Sequence, residues 1–290
     1  MVLHHWRVGN TSRPGSLGYS MPGTERLKLI ILSDLHITPD RETILSIDPL
    51  QRLVEALVHI RQHHLDAQRL IITGDLTHYG DCVAYDQLRE QLKAFPMPIS
   101  FLLGNHDRRD AFVTAFPDVQ TDAHGFVQSI ADHGRSRLIC LDTLNGPPYD
   151  HNAIHHGAMC RDRLVWLDAA LDLPTGRHAI IFMHHPPHAV GFRGIDTTRL
   201  AEETAFFDIV RRRGNVRHIV AGHIHRTISG SVHGIPFSVF KSPVHQQPMM
   251  FDSEDTSLSV VEPAAYGIVF ITPDAVLVHT EDYKISDAVA

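Results

Sequence analysis

Five times in this chain an apolar run of strand length stops at Asp, Asn or His. Leu27-Lys28-Leu29-Ile30-Ile31-Leu32 leads to Asp34-Leu35-His36, and Leu70-Ile71-Ile72 leads to Gly74-Asp75. Pro98-Ile99-Ser100-Phe101-Leu102-Leu103 leads to Gly104-Asn105-His106-Asp107, the central stretch of the set. Ala179-Ile180-Ile181-Phe182 leads to His184-His185, and His218-Ile219-Val220 to Gly222-His223-Ile224-His225. Each run is too short for a buried helix and suits a buried strand. In an open α/β sheet, ligands bind in the crevice beyond the strand ends. One arrangement satisfies all five runs: strands ending side by side, with their polar clusters in one place.

Helical segments separate the strands, which makes the class α/β. Asp48-Pro49 predicts a helix start, since Asp caps free N–H groups and Pro fits the first turn. Leu50, Leu53, Val54, Leu57 and Val58 then repeat as one apolar face. Further helices are expected over Tyr85 to Phe95, Arg161 to Leu171 and Glu202 to Arg213, the last stopped by Gly214. Residues 1 to 26 lack periodicity and read as a loosely ordered arm, with residues 27 to 290 as one domain. Runs at Pro236 to Lys241, Tyr266 to Thr272 and Ala275 to Thr280 suggest a second sheet packed on the first. Between them, residues 247 to 264, with Met249, Met250 and Phe251, read as an insertion that caps the site or forms a dimer contact.

The net charge is −7 and no basic block is present, which argues against nucleic acid or an anionic membrane as partner. Three cysteines without a C-x-x-C spacing argue against a disulfide framework and a Cys-based zinc site. No apolar stretch reaches membrane-spanning length and none resembles a signal peptide, so the expected location is the cytoplasm. The unusual number is 23 His, most of which read as surface imidazoles. Those at strand ends are candidates for metal ligation.

Asp34 and His36 are one residue apart, and on an extended segment they point to the same side. Asp75 is the candidate to bridge two cations, since one carboxylate serves both. Asn105 offers a neutral hard oxygen. Asp107 is placed to orient the His106 imidazole by accepting its other N–H. His223 and His225, again one apart, can approach a pair of metals from one side. Taken singly, each signal has a plainer reading. Asp34-x-His36 reads as a turn with a surface His, Gly74-Asp75 as a helix cap, and Asn105 and Asp107 as turn residues. His78 is expected at the rim, Asp142 in a turn, and His151, His155 and His156 mainly on the surface.

The ordered set D-x-H, G-D, G-N-H-D, a later His and G-H-x-H resembles the calcineurin-like binuclear metallophosphoesterases, over nearly all of the chain from Leu27. The resemblance implies a four-layer α/β/β/α sandwich with two transition-metal ions, Mn, Fe, Zn or Co. One metal would take Asp34, His36, His225 and the shared Asp75. The other would take Asp75, Asn105, His184 and His223, with His185 as second choice to His184. His106 would face the substrate phosphate and protonate the leaving group, and a metal-bridging hydroxide would attack phosphorus. His245-Gln246 is similar to the His-Gln pair of the family branch that hydrolyses cyclic nucleotides and glycerophosphodiesters, so His245 joins Asn105 and His106 as a substrate-binding residue. The expected function is phosphodiester hydrolysis of a small substrate. The alternatives are a phosphomonoesterase acting on protein or nucleotide and a non-catalytic interaction module of the same fold. A homodimer or higher oligomer is expected from the apolar stretch near Met249.

Overall fold

The computed structural model describes residues 26–150 and 154–284. The N-terminal arm up to residue 25 and His151 lie outside the described residues. Two sheets form the centre. The first has the order β11-β10-β1-β2-β3, built from β1 (Leu27–Leu32), β2 (Arg69–Ile72), β3 (Ile99–Phe101), β10 (Tyr266–Ile271) and β11 (Val276–Glu281). The second has the order β4-β5-β6-β7-β9-β8, built from β4 (Ser129–His133), β5 (Ser136–Cys140), β6 (His178–Phe182), β7 (Val216–Ala221), β8 (Ile228–Val232) and β9 (Ile235–Val239). β1, β2 and β3 run parallel, as do β5, β6, β7 and β9. Antiparallel strands β10, β11, β4 and β8 complete the sheets.

Strand alternation sorts the apolar residues into three layers of contact. Along β1, Ile30 and Leu32 face one way, into a core with Leu53, Leu57 and Ile60 of α1 (Pro49–His63). The same core takes Tyr85 and Leu88 of α2 (Cys82–Leu92) and Phe112 of α3 (Arg109–Ala115). Leu27, Leu29 and Ile31 face the other way, against Leu138, Cys140, Ile180, Phe182 and Val220 of the second sheet. The outer face of the second sheet, with Ile139, Ile181 and Ile219, packs on Leu167 of α4 (Arg161–Ala170) and Phe206 and Val210 of α5 (Glu203–Arg213). The architecture is therefore a four-layer α/β/β/α sandwich. Because every central strand is covered on both faces, it reads as an unbroken apolar run.

The helix starts follow their capping chemistry. Asp48 caps α1 through Gln51 N–H, and Asp81 caps α2 through Ala84 N–H. That second cap moves α2 to Cys82–Leu92, earlier than the expected Tyr85 to Phe95. The three C-terminal runs do not make one new sheet. β9 joins β7 in the second sheet, whereas β10 lies antiparallel to β1 and carries β11 at the edge of the first. Among the described residues no helix is long and apolar enough to cross a membrane.

Candidate metal centre

The ends of β1, β2 and β3 deliver Asp34, His36, Asp75 and Asn105, and the ends of β6 and β7 deliver His184, His223 and His225. All seven predicted ligands reach one cleft or the wall behind it. Asp34, His36, Asp75 and His225 are all buried and bring one ligand atom each within 4.8 Å of one another. They are the four residues expected around one ion. Asp75 Oδ2 lies 3.7 Å from His36 Nε2 and 3.5 Å from His184 Nε2, so it adjoins donors expected around both ions. On the second side, His184 Nε2 is 3.3 Å from Asn105 Oδ1, and His184, His185 and His223 form a further cluster of ligand atoms. His185 stands beside His184 in that cluster, with its Nδ1 2.8 Å from Thr143 Oγ1.

The backbone corrects one expectation. The D-x-H and H-x-H segments are not extended: φ is +55° at Asp34, +47° at His36, +71° at His223 and +52° at His225, and Asp75 has +46°. A non-glycine residue held in this region costs roughly 1–2 kcal/mol. The chain turns sharply past each strand end, and Asp34 N–H and His36 N–H donate to the carbonyls of Gly74 and Asp75. Left-handed turns, not an extended ribbon, aim both side chains inward. Gly74 is required on the same grounds. Its φ is +104°, and a Cβ there would stand 2.5 Å from His184 Nδ1 and 2.8 Å from Gly104 N.

Hydrogen bonds fix the imidazoles. His184 donates Nδ1–H to the Thr73 carbonyl at 2.8 Å, and His225 donates Nδ1–H to the His245 carbonyl at 3.0 Å. Each thereby turns the Nε2 lone pair toward the carboxylates, the way outer partners orient metal-binding histidines. His223 Nε2 is 2.7 Å from the Thr198 hydroxyl, which leaves Nδ1 for ligation. His36 Nε2 lies 3.0 Å from His225 Nε2, while its Nδ1 is 3.2 Å from His78 Nδ1.

The titration pattern follows from this packing. Burial raises the Asp34 carboxyl, but the charges of His225 and His184 outweigh it and hold it below its ordinary value. Burial acts likewise on Asp75, and His184 and His106 hold that carboxyl well below the usual range. Burial opposes charge on His184, yet Asp75 and Asp34 push it up to about 9. Burial and the charge of His184 push His223 down to about 3, and burial and His225 do the same to His245. His36 is held well below its ordinary value by burial and His106.

This donor set fits transition-metal ions. It combines two buried carboxylates, one amide oxygen and imidazoles. His36 and His223 are held below their ordinary value with lone pairs available. Against burial, Asp75 and Asp34 hold a proton on His184 and His225 that a bound cation would replace. His185 Nε2 and His245 Nδ1 are buried with no hydrogen-bond partner, further donors without a protein acceptor or donor of their own. No Lys or Arg among the described residues forms an ion pair with Asp34 or Asp75.

Asp107 is corrected. Its oxygens accept from Leu76 N–H, Thr77 N–H, Gly104 N–H and the Tyr85 hydroxyl, at 2.9–3.2 Å. His106 instead donates Nδ1–H to the His78 carbonyl at 2.9 Å. Asp107 ties the loops after β2 and β3 to α2, and its short reach leaves the imidazole to a backbone acceptor. Burial and the Asp75 carboxylate push the Asp107 carboxyl up to about 6.

The cleft has a volume of about 390 Å³. His36, Asp75, Asn105, His106, His223, His225 and His245 line it. His78, expected at the rim, stacks on His106 with ring centroids 5.1 Å apart. His155, expected on the surface, has Nδ1 3.3 Å from Asn105 Nδ2. His78 thus lines the cleft as a rim residue does, whereas His155 was hidden in the sequence because it does not sit at a strand end. His156 instead meets Asn145 at 2.9 Å. Gln246 is fully buried and bonds the Ser242 carbonyl, so only the His of that pair faces the cleft. Residues Thr256 to Ser259, inside the stretch read as an insertion, line the cleft, whereas Met249, Met250 and Phe251 are exposed. A larger cavity of about 610 Å³ opens between the edge strands β3 and β4 and holds none of these donors.

The sequence matches the Calcineurin-like phosphoesterase family over residues 27–227. It is 36% identical over 254 residues to a probable cyclic nucleotide phosphodiesterase of Rhodopseudomonas palustris, covering 87% of this chain and 91% of that one. It is 26% identical to a 3′,5′-cyclic adenosine monophosphate phosphodiesterase of Vibrio vulnificus, covering 82% and 83%. A probable glycerophosphodiester phosphodiesterase of Arcobacter nitrofigilis is 23% identical, covering 85% and 89%. In fold it is similar to a dimetal phosphatase from Danio rerio, with a TM-score of 0.62 at 14% identity over 87% of this chain and 98% of that one. Ordered motifs, a two-sheet sandwich and a cluster of carboxylates and imidazoles across its strand ends agree with the family match, and the chain belongs to the calcineurin-like phosphoesterases.

Proposed function

We propose that the protein is a metal-dependent phosphodiesterase acting on small phosphodiesters, with cyclic nucleotides as its substrates. The observation that carries this reading is Asp75, whose Oδ2 stands between His36 and His184 and so belongs to two donor groups at once. The first group is Asp34, His36, Asp75 and His225, and the second is Asp75, Asn105, His184 and His223. When two ions drawn from Mn, Fe, Zn or Co are bound, they supply Lewis acidity for the phosphoryl oxygens and lower the pKa of the attacking water. The names of the relatives in R. palustris and V. vulnificus favour a cyclic nucleotide over a glycerophosphodiester.

The chain's own residues do the rest. Asn105 holds its amide between His184 and His155 and meets the phosphoryl group from that side. His106 keeps Nδ1–H on the His78 carbonyl, so proton exchange with the leaving oxygen falls to Nε2. His78 stacks behind it and limits its rotation. His245 lies against His36 and His225, with ring centroids at 5.4 and 4.5 Å, and walls the substrate side. Asp107 is a positioning residue that holds the loops after β2 and β3 at fixed separation. Attack and departure on opposite sides of phosphorus require no covalent phospho-enzyme.

The test is the initial rate after Mn²⁺ reconstitution on bis(p-nitrophenyl) phosphate beside p-nitrophenyl phosphate, followed by 3′,5′-cyclic AMP. A faster diester and turnover of cyclic AMP are expected. A faster monoester, or no turnover with Mn, Fe, Zn or Co, overturns the reading.

A further inference from the structure

The cleft that holds the donors is also lined by apolar side chains that the phosphoryl chemistry does not use. Ile44, Leu45, Ile195 and Leu258 line it. Ile44, Leu45 and Leu258 pack into none of the three apolar cores of the sandwich. Leu45 is the unusual member. It sits at the tip of a two-residue hairpin closed by Ile44 N–H to Ile47 O and Ile47 N–H to Ile44 O, both 2.9 Å. Its φ is +49°, and Ser46 beside it has +65°. Turns with two positive φ values are the place of Asn-Gly, Asp-Gly and Gly-Gly. A leucine there strains the backbone, and its side chain is 50% exposed, so neither local conformation nor core burial rewards it.

We propose that Leu45, with Ile44 and Leu258, forms an apolar jaw that grips the nucleobase of a cyclic nucleotide whose phosphate sits at the metal donors. The inference rests on the phosphodiesterase reading and deepens it to a substrate with a flat, apolar body. A cleft of about 390 Å³ falls in the range of small-ligand sites, which pair apolar walls with a few convergent polar groups. The polar groups here are the donors on the phosphate side and, beside Leu258, Ser257 and Ser259, which can meet the polar edge of a base. A glycerophosphodiester offers the jaw nothing to close on.

The test measures KM and kcat of the Mn²⁺-reconstituted full chain for 3′,5′-cyclic AMP and for glycerophosphoethanolamine, in wild type, Leu45→Gly and Leu258→Ser. Leu45→Gly is expected to raise KM for cyclic AMP about tenfold, with kcat held within about twofold, as for loss of half a leucine's apolar contact. Its melting temperature is no lower than that of wild type, because glycine adopts positive φ freely. The preference for cyclic AMP over glycerophosphoethanolamine falls by the same factor, and Leu258→Ser moves KM in the same direction. An unchanged KM for cyclic AMP in both variants, or equal losses on both substrates, overturns the jaw and leaves the phosphodiesterase reading standing. A wild type that turns over neither substrate overturns both.

Discussion

Two of the buried aspartate sites at the strand ends of this fold differ in who answers the charge. After β5, Asp142 is fully buried and meets Arg109 through two bonds, Nε to Oδ2 at 2.7 Å and the terminal nitrogen to Oδ1 at 2.9 Å. It also accepts from Val127 N–H and Leu144 N–H. After β1 and β2, Asp34 and Asp75 are equally buried but face imidazoles on strained backbone. The first site is complete with a cation from the chain, whereas the second gathers donors for a cation from outside. Strand-end position does not tell an ion pair from a metal centre; the identity of the counter-charge does.

The sharpest break of that comparison is Asp75→Asn against Arg109→Met. Asp75→Asn is expected to lower kcat/KM by on the order of a thousandfold, as loss of a key electrostatic group does, with two-metal stoichiometry lost by elemental analysis. The fold should survive, because one of two neighbouring buried carboxylates has gone. Retained turnover would remove Asp75 from its bridging place. Arg109→Met should do the reverse. It removes the two-bonded partner of the buried Asp142 charge and leaves only the more distant Arg163, 3.7 Å away. That costs about 3 kcal/mol in urea denaturation, the low end for a broken buried pair, while metal content per folded molecule stays the same.

A third buried group, His218 on β7, sharpens the contrast, for it has neither counter-charge nor metal donors. Its Nε2 lies 3.0 Å from the Ser238 hydroxyl, and burial pushes it down to about 4 from 6.5. The unfolded chain takes the proton first, so His218 makes stability fall as pH drops from 6.5 toward 4, and it is silent above 6.5. Compared with His218→Gln in denaturant titrations, wild type should lose about 2–3 kcal/mol more between pH 7.5 and 4.5. Parallel curves for the two proteins would show that His218 does not titrate alone. The smallest effect is Thr198→Val, which frees His223 Nε2 from its hydroxyl. Metal affinity should fall about tenfold, the low end for loss of an outer partner, as read by chelator competition.

Much of this was legible in the sequence because the central strands are covered on both faces. Unbroken runs such as Leu27 to Leu32 and His178 to Met183 announce such strands, and the polar residues just past their ends build the site. β4 and β8 were not legible. Ser129-Ile-Ala-Asp-His and Ile228-Ser-Gly-Ser-Val are half-exposed edge strands whose polar residues resemble loop. The pairing of β10 with β1 was hidden too, since it joins residues over two hundred positions apart and depends on which faces need cover. The turn geometry at Asp34, His36 and His225 breaks the rule that alternate residues of a strand share a side. Local pattern cannot show a strain that the surrounding loops impose. His155 reaches the cleft from a loop, and Asp107 read as the partner of His106 because the two are adjacent in sequence, whereas its oxygens bond the loops after β2 and β3.

Among the described residues no strand ladder joins the two sheets; side chains such as Ile31, Phe182 and Val220 meet across them instead. Asp34, His36, Asp75 and Asn105 ride on one sheet, and His184, His223 and His225 on the other. The centre therefore straddles the seam between the sheets, where bonds such as His184 Nδ1–H to the Thr73 carbonyl and His223 N–H to Asp34 cross it. A sideways slide of the sheets would part the donors long before either ladder opened, so metal retention doubles as a gauge of their alignment. A substitution in the middle layer, at Val220 or Ile31, can misalign the centre without touching it.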